Sequence, residues 1–386
     1  MDSLTQIVLG AAVGEVALGK KIGNKAMLWG AIAGTIPDLD VYQSLFFDAL
    51  TANELHRGFS HSILFSIVFA PIVAWLARTK EKWSLVGFIT LILGYPFLSV
   101  DNSVVRIVLF AIWLILVVIT IKHSYGTHSA SQRDWTKLMF WSLVTHPLLD
   151  CHTTWGTQLL WPLPYKLAWN NIFVVDPFYT VPFLICVVIA LCYHRESKKR
   201  KYFNRVGIIL SSIYMLWSLG AKYHTYSIFQ DNLQQQNIAY TRLTTVPTPL
   251  NTVLWSATAE TDSAYYTGLY SLLDDDEIIQ FHKIENNHGL IEEWEEEDLI
   301  NRLNFLSKGW YVVNDENPDT LVYNDARFGP MYASDTPMYG FGYQLFMNNS
   351  NVLSVTQQRP DIDEETGEQM LSILWRRIWG KNISQK

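Results

Sequence analysis

Histidine and aspartate gather in four short segments of the N-terminal half: Pro37-Asp38-Leu39-Asp40, His56-Arg57-Gly58-Phe59-Ser60-His61-Ser62, His146-Pro147-Leu148-Leu149-Asp150 and Asp176-Pro177. Long apolar runs flank them, and an ionisable side chain is costly to desolvate beside such runs unless it binds something. Pooled, Asp38, Asp40, His56, His61, His146 and Asp150 make a mixed nitrogen and oxygen ligand field without sulfur. Such a field suits a divalent metal, zinc first with manganese or iron as alternatives, and its size allows two ions. A metal so held lowers the pKa of a bound water from about 15.7 towards 7 and makes hydroxide available for hydrolysis. Arg57, beside His56, is the residue to clamp a phosphate or carboxylate of a substrate.

Spacing ranks these residues. His146 and Asp150 are four apart near the end of an apolar run, so both lie on one helix face and can share an ion. Pro147 between them is tolerated if a helical turn starts or kinks there. His56 and His61 are five apart and would diverge by over 100° on one helix. His56 is therefore expected in a loop and His61 in the first turn of the next helix, with Gly58 giving the loop freedom to bring them together. Asp38 and Asp40 follow Pro37, where a turning backbone presents carboxylates outward, although a turn or cap role is equally open to them. His56 has a plainer reading as an interfacial hydrogen-bonding residue, and Asp176 is a neighbour of the site more than a ligand. His152 points off the His146/Asp150 face; His123, His128 and His194 fall among basic loops; Asp101 and Asn102 suit a solvated loop.

The elements that must position these groups are apolar. Runs near the roughly 20 residues of a spanning helix occur at about 61–77, 84–100, 103–121, 135–151, 178–193 and 206–222. Two shorter stretches, about 5–18 and 26–36, are rich in Gly and Ala and read as half-helices or a re-entrant hairpin packed closely on the others. Basic residues at Lys20-Lys21 with Lys25, Arg78–Lys82, Lys122–Arg133 and Arg195–Arg205 belong on the cytoplasmic side by the positive-inside rule. All four polar segments, and the chain after residue 222, then fall at the opposite, outer surface. If only one short helix crosses, the N-terminus changes sides and the rest keeps its place.

Composition divides the 386 residues in two. Residues 1–222 carry 19 Lys+Arg against 12 Asp+Glu, a balance of +7, and 223–386 carry 10 against 24, a balance of −14. The low charged fraction, 17%, and the 15 Trp fit a chain largely in lipid with aromatic residues at its interfaces. Cys151, Cys186 and Cys192 imply neither a disulfide framework nor a cysteine zinc site, and the opening Met1–Gln6 lacks the basic start of a secretory signal peptide. After residue 222, β-prone stretches at 252–255, 264–266, 310–313, 320–323 and 343–346 alternate with Asn, Asp, Gly and Pro, and 292–308 reads as an amphipathic helix with an acidic start. The expected architecture is mainly α: a polytopic membrane bundle over 1–222, of about six spanning helices and two half-helices, with an acidic α+β extramembrane domain over 223–386. Membrane lipids and a lipid-linked substrate are the expected partners, and no nucleic acid.

Four ordered motifs carry a resemblance. Asp2-Ser3-Leu4-Thr5, Gly34-Thr35-Ile36-Pro37-Asp38-Leu39-Asp40, the His56–Ser62 block, and Thr145–Asp150 continuing through Thr153-Thr154-Trp155-Gly156-Thr157 resemble the bacterial inner-membrane metal-dependent hydrolases of the YdjM/YfhP type, over roughly the first 220 residues. The acidic tail matches only a subset of that family. Many members have His where this chain has Gln6, and an amide is a poor zinc ligand, so the resemblance implies one ligand fewer here or a histidine that is not essential. More distantly the group resembles zinc-dependent phospholipase C and P1-type nucleases, which implies phosphoester hydrolysis and admits Asp2 as a further ligand. A non-enzymatic regulator or scaffold with a structural metal is the competing expectation. A transporter fits less well, because the polar groups gather at one surface and not at the midplane.

Overall fold

The computed structural model describes residues 1–123, 130–292, 297–317, 320–332, 337–346, 354–358 and 362–381. His128 and part of the helix expected over 292–308 lie outside them. The chain divides into two compact units: Met1–Asp48, Leu55–Trp169 and Pro177–Tyr214 form the first, and Ala49–Glu54, Asn170–Asp176 and Met215–Lys386 the second.

The first unit is helical. It contains α1 (Ser3–Ile22), α2 (Asn24–Thr35), a 3-10 segment (Ile36–Leu45), a 3-10 turn (Phe59–His61), α4 (Ile63–Thr79), α5 (Glu81–Ser99), α6 (Ser103–Lys122), α7 (Gln132–Asp150), α8 (Pro177–Leu191) and the start of α9 (Lys198–Gln235); α3 (Ala49–Leu55) precedes the 3-10 turn. The Gly/Ala-rich start is longer than a half-helix, since α1 has 20 residues, and it packs on α2 through glycines. A Cβ on Gly10 or Gly14 would overlap the carbonyl of Gly30 or Ala26, and one on Gly30 the carbonyl of Gly10. Only glycine permits that approach. Asp2 caps α1 by accepting from the Thr5 amide at 3.0 Å and from the Thr5 hydroxyl, which is a capping role and not the ligand role the resemblance had admitted.

The six expected spans reduce to three. Among the described residues α5, α6 and α9 are long and apolar enough to cross a membrane, and a fourth exists if Ala49–His61 and Ile63–Thr79, bent by 65°, count as one broken span. The reasons are local. α8 has only 15 residues, and α7 carries Arg133, Asp134, Lys137 and Asp150, more charge than a spanning helix takes, while its Trp135, Leu138, Met139 and Leu143 are buried. α5 and α6 are the opposite case, with Leu91, Leu98, Ile107, Phe110 and Ile115 exposed as a lipid-facing surface would require. The bundle core runs through Leu18, Trp29, Ala33, Phe65, Ala70, Ala74, Trp135, Met139 and Leu143, and Trp29 meets Trp135 edge to face at 6.1 Å. A second buried feature is ionic: Arg200 donates to Glu15 at 2.6 Å, to the Tyr193 carbonyl at 3.0 Å and to Asn24. One member of the basic stretch Lys198-Lys199-Arg200-Lys201 is therefore inside the bundle.

The second unit is α+β. Strands β1 (Arg242–Pro247), β2 (Leu254–Glu260), β3 (Ala264–Ser271) and β4 (His282–Glu285) form an antiparallel meander. Then come α10 (Gly289–Glu292), α11 (Glu297–Ser307), β5 (Tyr311–Asn317), β6 (Thr320–Asp325), β7 (Met331–Tyr332), β8 (Pro337–Met338), β9 (Gly342–Phe346), β10 (Ser354–Gln358) and α12 (Glu364–Ile378). The second four-stranded sheet has the order β10-β9-β6-β5, and β7 pairs with β8. Leu303, Leu306, Val313, Tyr323, Tyr343 and Leu345 are buried between α11 and that sheet. The strand expected at 252–255 begins later, at Leu254, because the Asn251 side chain accepts from the Val253 and Leu254 amides and holds a turn there.

Candidate metal centre

Asp38, His61, His146 and Asp150 each offer one ligand atom, and the four atoms lie within 4.8 Å of one another. Three elements deliver them. The 3-10 segment after α2 carries Asp38, the 3-10 turn before α4 carries His61, and the last turn of α7 carries His146 and Asp150 on one face. Ser62 caps α4 by accepting from the Phe65 amide at 2.9 Å, and this fixes the backbone directly after His61. α7 passes through Pro147 without ending, so the i, i+4 relation of His146 and Asp150 survives.

Distances define the arrangement. Nε2 of His61 stands 3.1 Å from Nε2 of His146, 3.5 Å from Asp38 Oδ1 and 3.4 Å from Asp150 Oδ2. Nε2 of His146 is 3.3 Å from each of the same two oxygens. Ligands bound at zinc distances in a tetrahedron are separated by roughly 3.3–3.4 Å, so five ligand-to-ligand separations match that spacing. Asp150 Oδ2 is a buried carboxylate oxygen without a hydrogen bond, the kind of orphan that a bound cation satisfies. The donor set fits a divalent metal.

The imidazoles are oriented from behind. Nδ1 of His146 lies 2.5 Å from the Gly34 carbonyl, which can only accept, so Nδ1 carries the proton and Nε2 keeps its lone pair. Nδ1 of His61 faces Asp40 Oδ2 at 3.3 Å and Ser60 Oγ at 3.0 Å. Two lone pairs aimed at each other repel, and a cation between them removes the conflict. The other oxygen of Asp150, Oδ1, accepts from Gln6 Nε2 at 3.0 Å and contacts the α-amino group of Met1. Gln6 also donates to the His146 carbonyl at 3.3 Å. It stands behind Asp150 and His146, on the side away from the convergent Nε2 and Oδ atoms.

Two expected ligands sit one layer out. Asp40 accepts from the Arg57 amide at 3.0 Å and from Ser60 at 3.1 Å, and pairs with Nδ1 of His56 at 3.0 Å. The reason is the tight 3-10 turn, which separates Asp38 and Asp40 onto different sides; the first meets both His Nε2 atoms and the second the back of His61. Burial opposes the charged form of both carboxylates, yet His146 and His61 beside Asp38, and His56 and His61 beside Asp40, hold them below the usual range. Arg57 is buried, with its backbone at φ 58°; its guanidinium donates to Thr153 Oγ1 at 2.8 Å and its Nε lies 3.3 Å from Asp150 Oδ2. It faces the ligand carboxylate.

Access is one-sided. The side chains of His61, His146 and Asp150 are fully enclosed, whereas Asp38 is 21% and His56 30% exposed. Thr153 ties the end of α7 to Arg57 by donating to the Asp150 carbonyl at 2.8 Å. His152 packs edge-on against Trp169 at 4.4 Å and stays out of the cluster, and Asp176 is buried without joining the four convergent residues. Sequence reading missed the Gly34 carbonyl, Ser60 and the Met1 amino group. None carries a type or spacing signal; each acts through backbone or through proximity that only folding creates.

Comparison with curated proteins and with solved structures gives no match. A family model does match, described as the YdjM inner membrane protein and covering residues 1–225, which contain every residue of the cluster. The chain belongs to the YdjM inner membrane protein family.

Proposed function

We propose that this protein is a membrane-embedded, metal-dependent hydrolase that cleaves an ester or phosphoester in a lipid-linked or amphipathic substrate at the outer membrane face. The observation that carries the reading is the convergence of two imidazole Nε2 atoms and two carboxylate oxygens, one of them unsatisfied, at tetrahedral spacing. Asp38, His61, His146 and Asp150 would hold the ion, and zinc suits two imidazoles with two carboxylates, with manganese or iron as alternatives. When bound, the ion supplies Lewis acidity and an ionisable water near neutral pH.

The chain's own groups do the rest. Asp40 and the Gly34 carbonyl fix the imidazole tautomers, and Gln6 holds Asp150 from behind. Arg57 keeps a positive charge beside Asp150 and is placed to balance an anion that arrives there. His56, paired through Nδ1 with Asp40 and 30% exposed, can take or give a proton through its other ring nitrogen. The exposed edge at Asp38 and His56 is the route for a substrate. By the positive-inside reading of the basic loops, the chain after residue 222 belongs outside the cytoplasm.

One observation favours a second reading, a regulator or scaffold with a structural metal: three of the four ligands are wholly enclosed and Arg57 is turned inward. The test is common to both. Purified protein is assayed for metal by elemental analysis and for turnover of bis-p-nitrophenyl phosphate and diacyl phospholipids. Metal with turnover, both lost in His146→Ala, supports the hydrolase; full metal occupancy without turnover of any substrate favours the scaffold; no metal overturns both.

A further inference from the structure

The loop after α7 has a surface that the site chemistry leaves unexplained. Leu160, Trp161, Leu163, Tyr165 and Trp169 are exposed, at 36–70%. Their backbone is nonetheless well held. Thr157 and Leu167 bridge each other, each amide donating to the other's carbonyl at 3.0 and 2.9 Å, and the Trp169 amide donates to the Cys151 carbonyl at 2.7 Å. The loop is also tied to the ligand-bearing segment: the Gln158 amide donates to the Arg57 carbonyl and the Ile63 amide to the Leu159 carbonyl, both at 3.0 Å. Trp161 packs edge-on against exposed Phe59 at 4.9 Å, two residues from His61. The apolar rim is thus tied to the segment that carries His56 and His61.

A cation stands where the rim meets the cluster. Lys166 Nζ donates to the His56 carbonyl at 3.1 Å and lies 5.6 Å from the centre of the Trp155 ring, which itself meets His56 at 6.1 Å. An apolar rim with an ammonium at its inner end has the polarity of an anionic lipid, hydrocarbon outward and headgroup inward. Aromatic residues at a bilayer interface fit the same placement.

We propose that the Gln158–Trp169 loop with Phe59 is the lipid-binding rim of the site: it takes an acyl chain of an anionic phospholipid along Leu160, Trp161 and Leu163, and Lys166 receives the phosphate of the headgroup. The occupant is a bilayer lipid presented from the side. This rests on the reading of the cluster as a site for amphipathic substrates, and it narrows that class to lipids with an anionic phosphate.

Photo-crosslinking tests it without requiring turnover. Full-length protein is placed in phosphatidylcholine nanodiscs containing a trace of phosphatidic acid with a diazirine in its acyl chain, irradiated, and mapped by mass spectrometry. Cross-links are expected on residues 160–165. The substitution Lys166→Met should lower them about fivefold, the weight of one lysine near an anionic surface, excess unlabelled phosphatidic acid should compete them away, and Lys166→Arg should retain them. Metal content of Lys166→Met is expected to stay at the wild-type level, which separates a headgroup defect from a folding defect. Equal labelling by a phosphatidylcholine probe, with no competition by phosphatidic acid, would reduce the loop to a general membrane seat and overturn the proposal. The competition arm decides this in wild-type protein even if the variant does not fold. Selective labelling in a protein that carries metal but turns nothing over would remove the hydrolase reading and keep the lipid site.

Discussion

His61 and His146, 85 residues apart in the chain, aim their Nε2 atoms at each other across 3.1 Å, with both side chains fully buried. Each ring is held from its far side, His146 by the Gly34 carbonyl and His61 by Asp40 and Ser60. The pair is preorganised for a cation, because the backing contacts remove the rotational freedom that a ligand would otherwise lose on binding.

His61→Ala, His146→Ala and Asp150→Asn should each reduce bound metal to trace level in elemental analysis, since each removes a donor atom from a four-residue site. Retained metal in either histidine variant would sink the assignment.

Asp40 should behave differently. Asp40→Asn keeps the four donors and loses only the carboxylate behind His61, so metal affinity should fall about 10–100-fold while full occupancy is still reached at saturating metal. Competition against a chromogenic chelator measures this. A loss as complete as that of Asp150→Asn would make Asp40 a direct ligand, as its sequence position first suggested.

Helix α1 packs on α2 through glycine backbones, so Gly30→Leu should be among the more damaging small changes outside the site. Its side chain would enter the space of the Gly10 carbonyl and the Gly14 Cα. A loss of about 1–3 kcal/mol, typical of overpacking, should lower the thermal unfolding midpoint in detergent. Gly87→Ala, where a Cβ meets open space, should not.

The Glu15–Arg200 pair is nearly fully buried, with side-chain exposures of 4% and 1%. Glu15→Leu alone strands the guanidinium and should destabilise by about 3–5 kcal/mol, whereas Glu15→Leu with Arg200→Leu should recover much of it, because the pair contributes little net stability over apolar packing. A double variant no more stable than the single would show that Arg200 does other work through Asn24 and Tyr193.

Acid sensitivity should carry a signature at the start of α7. The Lys21 ammonium, 2.6 Å away, and the Ser131 amide and hydroxyl hold Asp134 down to about 2, below the usual carboxylate value. A depressed pKa contributes stability that is present above the ordinary carboxylate range and is lost as pH falls through the folded value. Asp134→Asn should therefore lower the unfolding midpoint at neutral pH and flatten its decline between about pH 4 and pH 2. An unchanged acid limb would contradict this.

How much of this was legible beforehand differs by element. The pairing of His146 with Asp150 follows from a spacing of four on one helix, because helical geometry is local. The α+β character of the chain after residue 222 follows from strand-forming stretches broken by turn residues, and the match to the YdjM family follows from ordered local motifs. Apolar runs alone overstate α7 and α8: α8 stops at 15 residues, and α7 carries Arg133, Asp134, Lys137 and Asp150 in its 19 residues, whereas the charges of α6 are Arg106 and Lys122 alone. Nor does the chain order say which of Asp38 and Asp40 meets the histidines. A 3-10 turn decides it, by sending one carboxylate to the Nε2 atoms and the other to the back of His61. By itself the sequence determined the donor types and the helix that unites His146 with Asp150; tertiary structure alone decided which donors converge, since atoms over a hundred residues apart meet only when the backbones between them pack.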